Sequence, residues 1–413
     1  FAGRGGACIA RRILTMKHAT HLFLRSSLML MAACGGIAVP NPEDGGPNLD
    51  GSASDATSPL PDSGGGQDSG GNDSAIADSG SDAGTGDDSG SDTGPRDGGV
   101  PGTITEFTIP SNNSPYHIAS GSDGNLWFTE CAADKIGTMT LDGNVTEFAI
   151  PTAASCPFGI AAGRDTYLWF TERAGNRIGK IPRTATTNTP NITEFATSAA
   201  ATPQAITSGP DGNLWFTESG ASDIGWIPTS ATTTGTAVTE IGTHTASSAP
   251  MGITSDSSGN LWATESAADQ IAKWPTSATQ SSQIVEFPLP TRTVGLSGIA
   301  WGPDGNVWFT ESRTGKIGRM TPTTPPVFTE FATPTTGTQP FWITVGPDGN
   351  LWFTEFSKTG NVGNNVGRLT PAGNFTEFPI PTAGAGALGI ATGPDGNIWF
   401  VESVANKIAR IIP

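Results

Sequence analysis

The sequence predicts an all-β fold, a seven-bladed β-propeller of four-stranded antiparallel blades over residues 103–413. Three observations carry this. Asn-Leu-Trp-Phe-Thr-Glu and its variants recur seven times, with Trp at 127, 169, 215, 262, 308, 352 and 399, spaced 42 to 47 residues apart. A period of about 40–50 residues with a recurring Trp marks a propeller or solenoid. Each copy sits among short alternating segments separated by Gly-containing turns, the pattern of one four-stranded blade. Finally, a Glu-Phe segment precedes the first unit and none follows the last.

The first unit shows the elements in order. His117–Ser120 reads as the first strand, and Ser122-Asp123-Gly124-Asn125 as a turn with Gly free to take positive φ. Leu126–Glu130 is the second strand, Lys135–Met139 the third and Val145–Phe148 the fourth. Blade four departs most, with Ala263 in place of Phe and Ser257-Ser258-Gly259-Asn260 as its turn, and blade six has a longer loop through 360–364. The last three strands end at Ile411-Ile412 and lack a fourth. Residues 103–108 therefore complete blade seven from the other end of the chain, which closes the ring without a free edge.

Composition divides the rest. Residues 1–40 carry five Lys or Arg and no acid; residues 41–100 carry 13 acids and one Arg. Met16-Lys17 opens a basic segment to Arg25, followed by an apolar run and Met31-Ala32-Ala33-Cys34. Residues 1–34 thus read as an N-terminal extension plus a secretory leader, too short for a stable membrane span. Small residues before Cys34 resemble a bacterial lipoprotein processing site; plain secretion and an unprocessed product are the alternatives. Residues 35–102 read as a disordered Asp/Ser/Gly-rich linker, unable to bury apolar surface. The net charge is −17, and no basic patch is visible. That excludes nucleic acid as an expected partner. The expectation is an exported, lipid-anchored or secreted monomer whose partner is a small molecule or peptide.

On topology, the ends of the second strands and the starts of the first strands share one face. Seven glutamates end the second strands there: Glu130, Glu172, Glu218, Glu265, Glu311, Glu355 and Glu402. They read either as carboxylates bonded to backbone of the next loop or as a ring able to hold a cation. Cys131 and Cys156 fall on the same face of adjacent blades, either paired or free. His117 occupies a position that is mostly Gly in other copies, with Trp342 the other bulky exception. His244 lies about three blades away. Tyr116, His117, Phe158, Phe341 and Leu388, all at first-strand starts, are the candidate ligand-binding residues. There is no phosphate loop, zinc spacing or serine elbow.

Pro-x-Gly-Ile-x-x-Gly-Pro-Asp-Gly-Asn-Leu-Trp-Phe-Thr-Glu, then Lys-Ile-Gly-Arg, then Thr-Glu-Phe-x-Ile-Pro, resembles the streptogramin B lyase (virginiamycin B lyase) family over residues 103–413. The resemblance implies a seven-bladed propeller. In active members it implies magnesium-dependent elimination that opens the ester of a cyclic depsipeptide. The family's two histidines precede the Gly-Ile or Ala-Ile of the last two first strands, and its glutamate ends the last second strand. Here those positions hold Phe341, Leu388 and Glu402. Only Glu402 is left as a catalytic or Mg2+-binding candidate, because Phe and Leu neither carry a proton nor hold metal. The leading expectation is a lipid-tethered, extracytoplasmic binding or interaction propeller. The alternatives are a magnesium-dependent lyase acting on streptogramin B or a related depsipeptide, and a structural propeller with no small ligand.

Overall fold

A computed structural model describes residues 99–110, 113–232, 238–356 and 363–413. The leader with Cys34, and the linker up to residue 98, lie outside these residues, as does most of the long blade-six loop.

Among the described residues, 28 strands form seven four-stranded antiparallel sheets. Blade one is Pro115–Ser120, Leu126–Glu130, Lys135–Met139 and Val145–Ala149. Its second and third strands begin and end where the sequence places them. The seventh sheet runs Ala387–Thr392, Ile398–Glu402, Lys407–Ile411 and then Ile104–Thr108 from the N-terminal side. Phe107 stands opposite Ile408. The first strands of neighbouring blades lie side by side around the ring, and that of blade one meets those of blades two and seven.

The repeated turn exists to satisfy the Trp. All seven motif Trp side chains are at most 1 % exposed. A buried indole N–H needs an acceptor. In six blades that acceptor is the Asp four residues earlier: Trp127 Nε1 donates to Asp123 at 3.2 Å and Trp399 Nε1 to Asp395 at 2.9 Å. The preceding Gly leaves room for this bond, since a Cβ on Gly121 would stand 2.0 Å from Asp123 Oδ1 and 2.8 Å from Trp127 Nε1. Blade four solves the same problem differently. Asp256 occupies that Gly position and itself accepts from Trp262 Nε1 at 2.9 Å.

Each Trp face packs on its own sheet and on the next blade. Trp127 stacks on Phe148 and Trp308 on Phe331; across the closure, Trp399 stacks on Phe107 with ring centroids 5.5 Å apart. Trp127 and Ile136 of blade one then share a core with Ile160, Leu168 and Phe170 of blade two. In five blades the other face of the second strand carries Phe over a third-strand Gly: a Cβ on Gly137 would lie 2.1 Å from the Phe128 ring, while blade seven sets Phe400 opposite Ala409. Blade four has lost both halves of this pair, with Ala263 opposite Ala272.

Polar bonds also join the blades. In six blades a buried second-strand Thr donates to a first-strand carbonyl of the next blade and accepts a backbone N–H from its own first strand. Thr310 bonds to the Phe341 carbonyl and Gly298 N–H, both at 2.8 Å. In blade seven Val401 takes this place. A Val is therefore sterically accepted, and Thr310→Val isolates the hydroxyl. It is expected to cost about 2 kcal/mol by stranding a buried donor and acceptor, read as a lowered urea midpoint with an unchanged m-value.

Candidate functional site

Every first strand contains a register shift against its second strand. In blade one it falls between Pro115 and Ile118, and in blade seven between Ala387 and Ile390. Bulges re-aim side chains and recur beside functional sites. They also explain why the first strands begin earlier than alternation predicts: two irregular residues, Tyr116-His117 in blade one, precede the regular ladder.

The bulges gather the candidate residues of blades six, seven, one and two. Tyr116 and Phe158 pack with centroids 4.1 Å apart, Phe158 and Trp342 at 6.5 Å, and Phe341 lies 6.0 Å from Trp342. His117 meets Trp342 edge-to-face at 4.8 Å. These two come from blades one and six, and Gly389 of blade seven lies between their strands. A Cβ on Gly389 would stand 2.6 Å from the His117 Cα. The sequence marks His117 and Trp342 as the bulky exceptions at one repeat position; the ring closure that makes them neighbours is a tertiary fact. Tyr116, Phe158 and Leu388 are 5 %, 0 % and 3 % exposed, so they form the floor. Phe341 and His117 are half-buried and offer the accessible surface. Burial pushes the His117 imidazole down to about 4, so it is neutral at physiological pH.

Cys131 and Cys156 form a disulfide with Cα atoms 4.0 Å apart. It links the short 3-10 turn after the second strand of blade one to the segment entering blade two. Asp134 holds that segment from the other side, accepting from Ala154 N and Cys156 N at 2.7 and 2.9 Å. Asn176, Asp269 and Asn364 hold the equivalent segments. An Asp or Asn before the third strand in several copies was the available signal for this rim.

The seven second-strand glutamates are all 0 % exposed. The expectation that they bond to the next loop's backbone is corrected by the hydrogen bonds: among the described residues Glu130, Glu311 and Glu355 accept from side chains, and it is the fourth-strand glutamates that hold a loop backbone, that of the loop entering their own blade. Glu194 accepts from Thr152 N and Oγ1, and Glu106 accepts from Thr382 N and Oγ1 at 2.9 Å each. Each second-strand glutamate lies beneath its fourth-strand partner. Burial first, then the partner's charge, pushes Glu172 and Glu402 up to about 8. Glu130 and Glu265 rise to about 7 and Glu218 to about 9 for the same reasons. Lys407 sits 2.7 Å from Glu106, so the blade-seven pair already has its cation.

These features match a known family along the whole propeller. The model of the virginiamycin B lyase family matches residues 98–294 and 233–413. The virginiamycin B lyase from Staphylococcus aureus is 33 % identical, covering 75 % of this chain and 99 % of that one, with a TM-score of 0.67. The chain belongs to the virginiamycin B lyase family. A structure of streptogramin B lyase is 31 % identical over 75 % of this chain and 96 % of that one, with a TM-score of 0.66. A structure of a catalytically inactive S. aureus virginiamycin B lyase with quinupristin is 32 % identical, with the same TM-score and coverage of 75 % and 99 %. No curated protein matches.

The residues at the positions singled out by the resemblance do not fit the magnesium chemistry it implies. Phe341 and Leu388 stand where the resemblance places histidines, and Leu388 is buried. Glu402 has the Glu106 carboxylate and the Lys407 ammonium as its charged neighbours. Among the described residues Glu402 belongs to no group of three or more possible metal ligands.

Two measurements test this face. The raised second-strand glutamates hold protons in the native chain that the unfolded chain releases above about pH 4.5. Their stabilisation is full below that value and is lost as pH rises through about 7 to 9. His117 acts in the opposite sense, but only between about 4 and 6.5. Thermal unfolding is thus expected to fall between pH 6.5 and 9, and Glu172→Gln to make that fall shallower. A Glu172→Gln slope equal to wild type would refute the assignment. Separately, replacing both Cys131 and Cys156 by Ser is expected to lower stability by about 3 kcal/mol through the freed loop, measured by denaturant unfolding with and without reductant.

Proposed function

We propose that this propeller binds an apolar cyclic peptide ester of the streptogramin B class on the face formed by Phe341, His117, Trp342 and their neighbours, without opening it. The observation that carries the reading is the replacement of both expected histidines by Phe341 and Leu388 within an otherwise complete family propeller. The aromatic cluster supports the ligand class, because large apolar rings bury on such surfaces with few polar contacts. The neutral His117 is a hydrogen-bonding group there, held against Trp342.

The second reading is a magnesium-dependent lyase on the same class of substrate. Family membership favours it, with about a third identity across the full length of a virginiamycin B lyase. Glu402 is then its remaining family residue. Export belongs to both readings: the leader ending at Cys34 supports a lipid anchor with residues 35–102 as a tether, and the Cys131–Cys156 bond suits an oxidising compartment.

Incubating the full chain with quinupristin and Mg2+, with calorimetry for binding and chromatography for ring opening, separates the readings. Binding without opening is expected, with opening acquired when Phe341→His and Leu388→His are combined. Turnover by the wild type that disappears in Glu402→Ala would establish the second reading instead. Absence of binding would overturn both for this ligand.

A further inference from the structure

In blade three the carboxylates of Glu218, Asp223 and Glu240 converge, with one ligand oxygen of each lying within 4.8 Å of the others. The first residue of the third strand explains why, among the described residues, this happens in blade three alone. In the other blades it is Lys135, Arg177, Gln270, Lys316, Asn365 or Lys407, in each case a hydrogen-bond donor. All three lysines pair with the fourth-strand glutamate: Lys135 with Glu147 at 2.6 Å, Lys316 with Glu330 at 2.5 Å and Lys407 with Glu106 at 2.7 Å. In blade three the donor is replaced by Asp223, which puts a negative charge where four blades have a positive one and two a neutral amide.

A second observation concerns the buried member of the cluster. Glu218 is 0 % exposed, and neither of its carboxylate oxygens meets a donor, as is also so for Glu172, Glu265 and Glu402; only Glu218 has two further carboxylates converging on it among the described residues. The charges acting on it are those of Glu240 and Asp223, both negative. Glu240 accepts Ser198 N at 2.7 Å through one oxygen, which leaves its other oxygen for the cluster.

We propose that Glu218, Asp223 and Glu240 form a binding site for a divalent cation of the calcium type, which takes the place of the lysine ammonium of other blades. The donors are all carboxylate oxygens, which suit a hard cation rather than a thiophilic one. Calcium–oxygen distances of about 2.3–2.6 Å let two ligand oxygens stand up to about 5 Å apart, so one ion spans the cluster. Asp223 and Glu240 are half-buried, so water reaches the ion and completes its shell. The site lies on blade three, apart from Glu402 on blade seven, and does not depend on the proposed ligand.

The test compares full-length wild type, Asp223→Asn and Asp223→Lys by calorimetric titration with CaCl2 and by thermal unfolding. All three carry the same acidic linker, so any weak calcium binding there cancels. Wild type is expected to bind one more Ca2+ than Asp223→Lys. It should also gain roughly 5 °C at a hundredfold excess of calcium over the dissociation constant. Asp223→Lys is expected to match calcium-loaded wild type without metal, and Asp223→Asn to bind more weakly. No calcium response in wild type, or equal responses in wild type and Asp223→Asn, would overturn the site.

Discussion

The structure depends on burying a Trp whose one polar atom must still be paired. The indole fills the space between a blade and its successor, but its N–H faces the turn joining the first two strands. An Asp in that turn accepts it, as Asp395 does for Trp399. The rest of the motif follows from the bond. The preceding residue must leave room for the carboxylate, hence Gly; the Asn two positions after the Asp ties its side chain to the same carboxylate, as Asn397 does at 2.8 Å. The face of the indole then takes a third-strand cation, with Arg410 over the Trp399 ring at 5.6 Å. Blade four shows that the bond, and not the motif, is required. Its Asp moves into the Gly position and keeps the acceptor in place.

The glutamates obey a different constraint. A carboxylate buried in each blade is costly unless it is protonated or neutralised. The fourth strand supplies a second glutamate, spent on clasping the loop from the preceding blade. Two acids so close cannot both ionise cheaply, so the deeper one is pushed up, to about 7 in Glu130 and about 8 in Glu172. The clasp between Thr382 and Glu106 repeats the one between Thr152 and Glu194, so the closure at the chain ends uses the same bond as a joint between consecutive blades.

Fold was legible in the sequence because it is written seven times. Blade count, strand order and the closing strand all follow from spacing and from the stray Glu-Phe at residues 106–107. What stayed hidden was whatever joins positions from different copies. The bulge at each first strand lies in residues that differ between blades, so no alternation reveals it. His117 and Trp342 stand out as individual exceptions, but their contact needs the ring to close. The sequence leaves the role of the second-strand glutamates open because it gives their shared face without showing that the fourth-strand acid stands between them and the loop. For Cys131 and Cys156 a common face was readable, and their bond was not.

Repetition also settles where specific chemistry can reside. A side chain present in every blade recurs with the blade, and the ring of seven buried glutamates singles out no one sector by itself. Specificity enters where one neighbour of a repeated group changes. At blades six, seven and one, bulky His117 and Trp342 flank a Gly389 that alone is small enough to let their strands approach, and the result is an aromatic face on one sector of the ring. At blade three a single exchange of donor for acid leaves the same scaffold glutamate without its counter-charge. In both places the repeat supplies the geometry, and the departure from it supplies the chemistry.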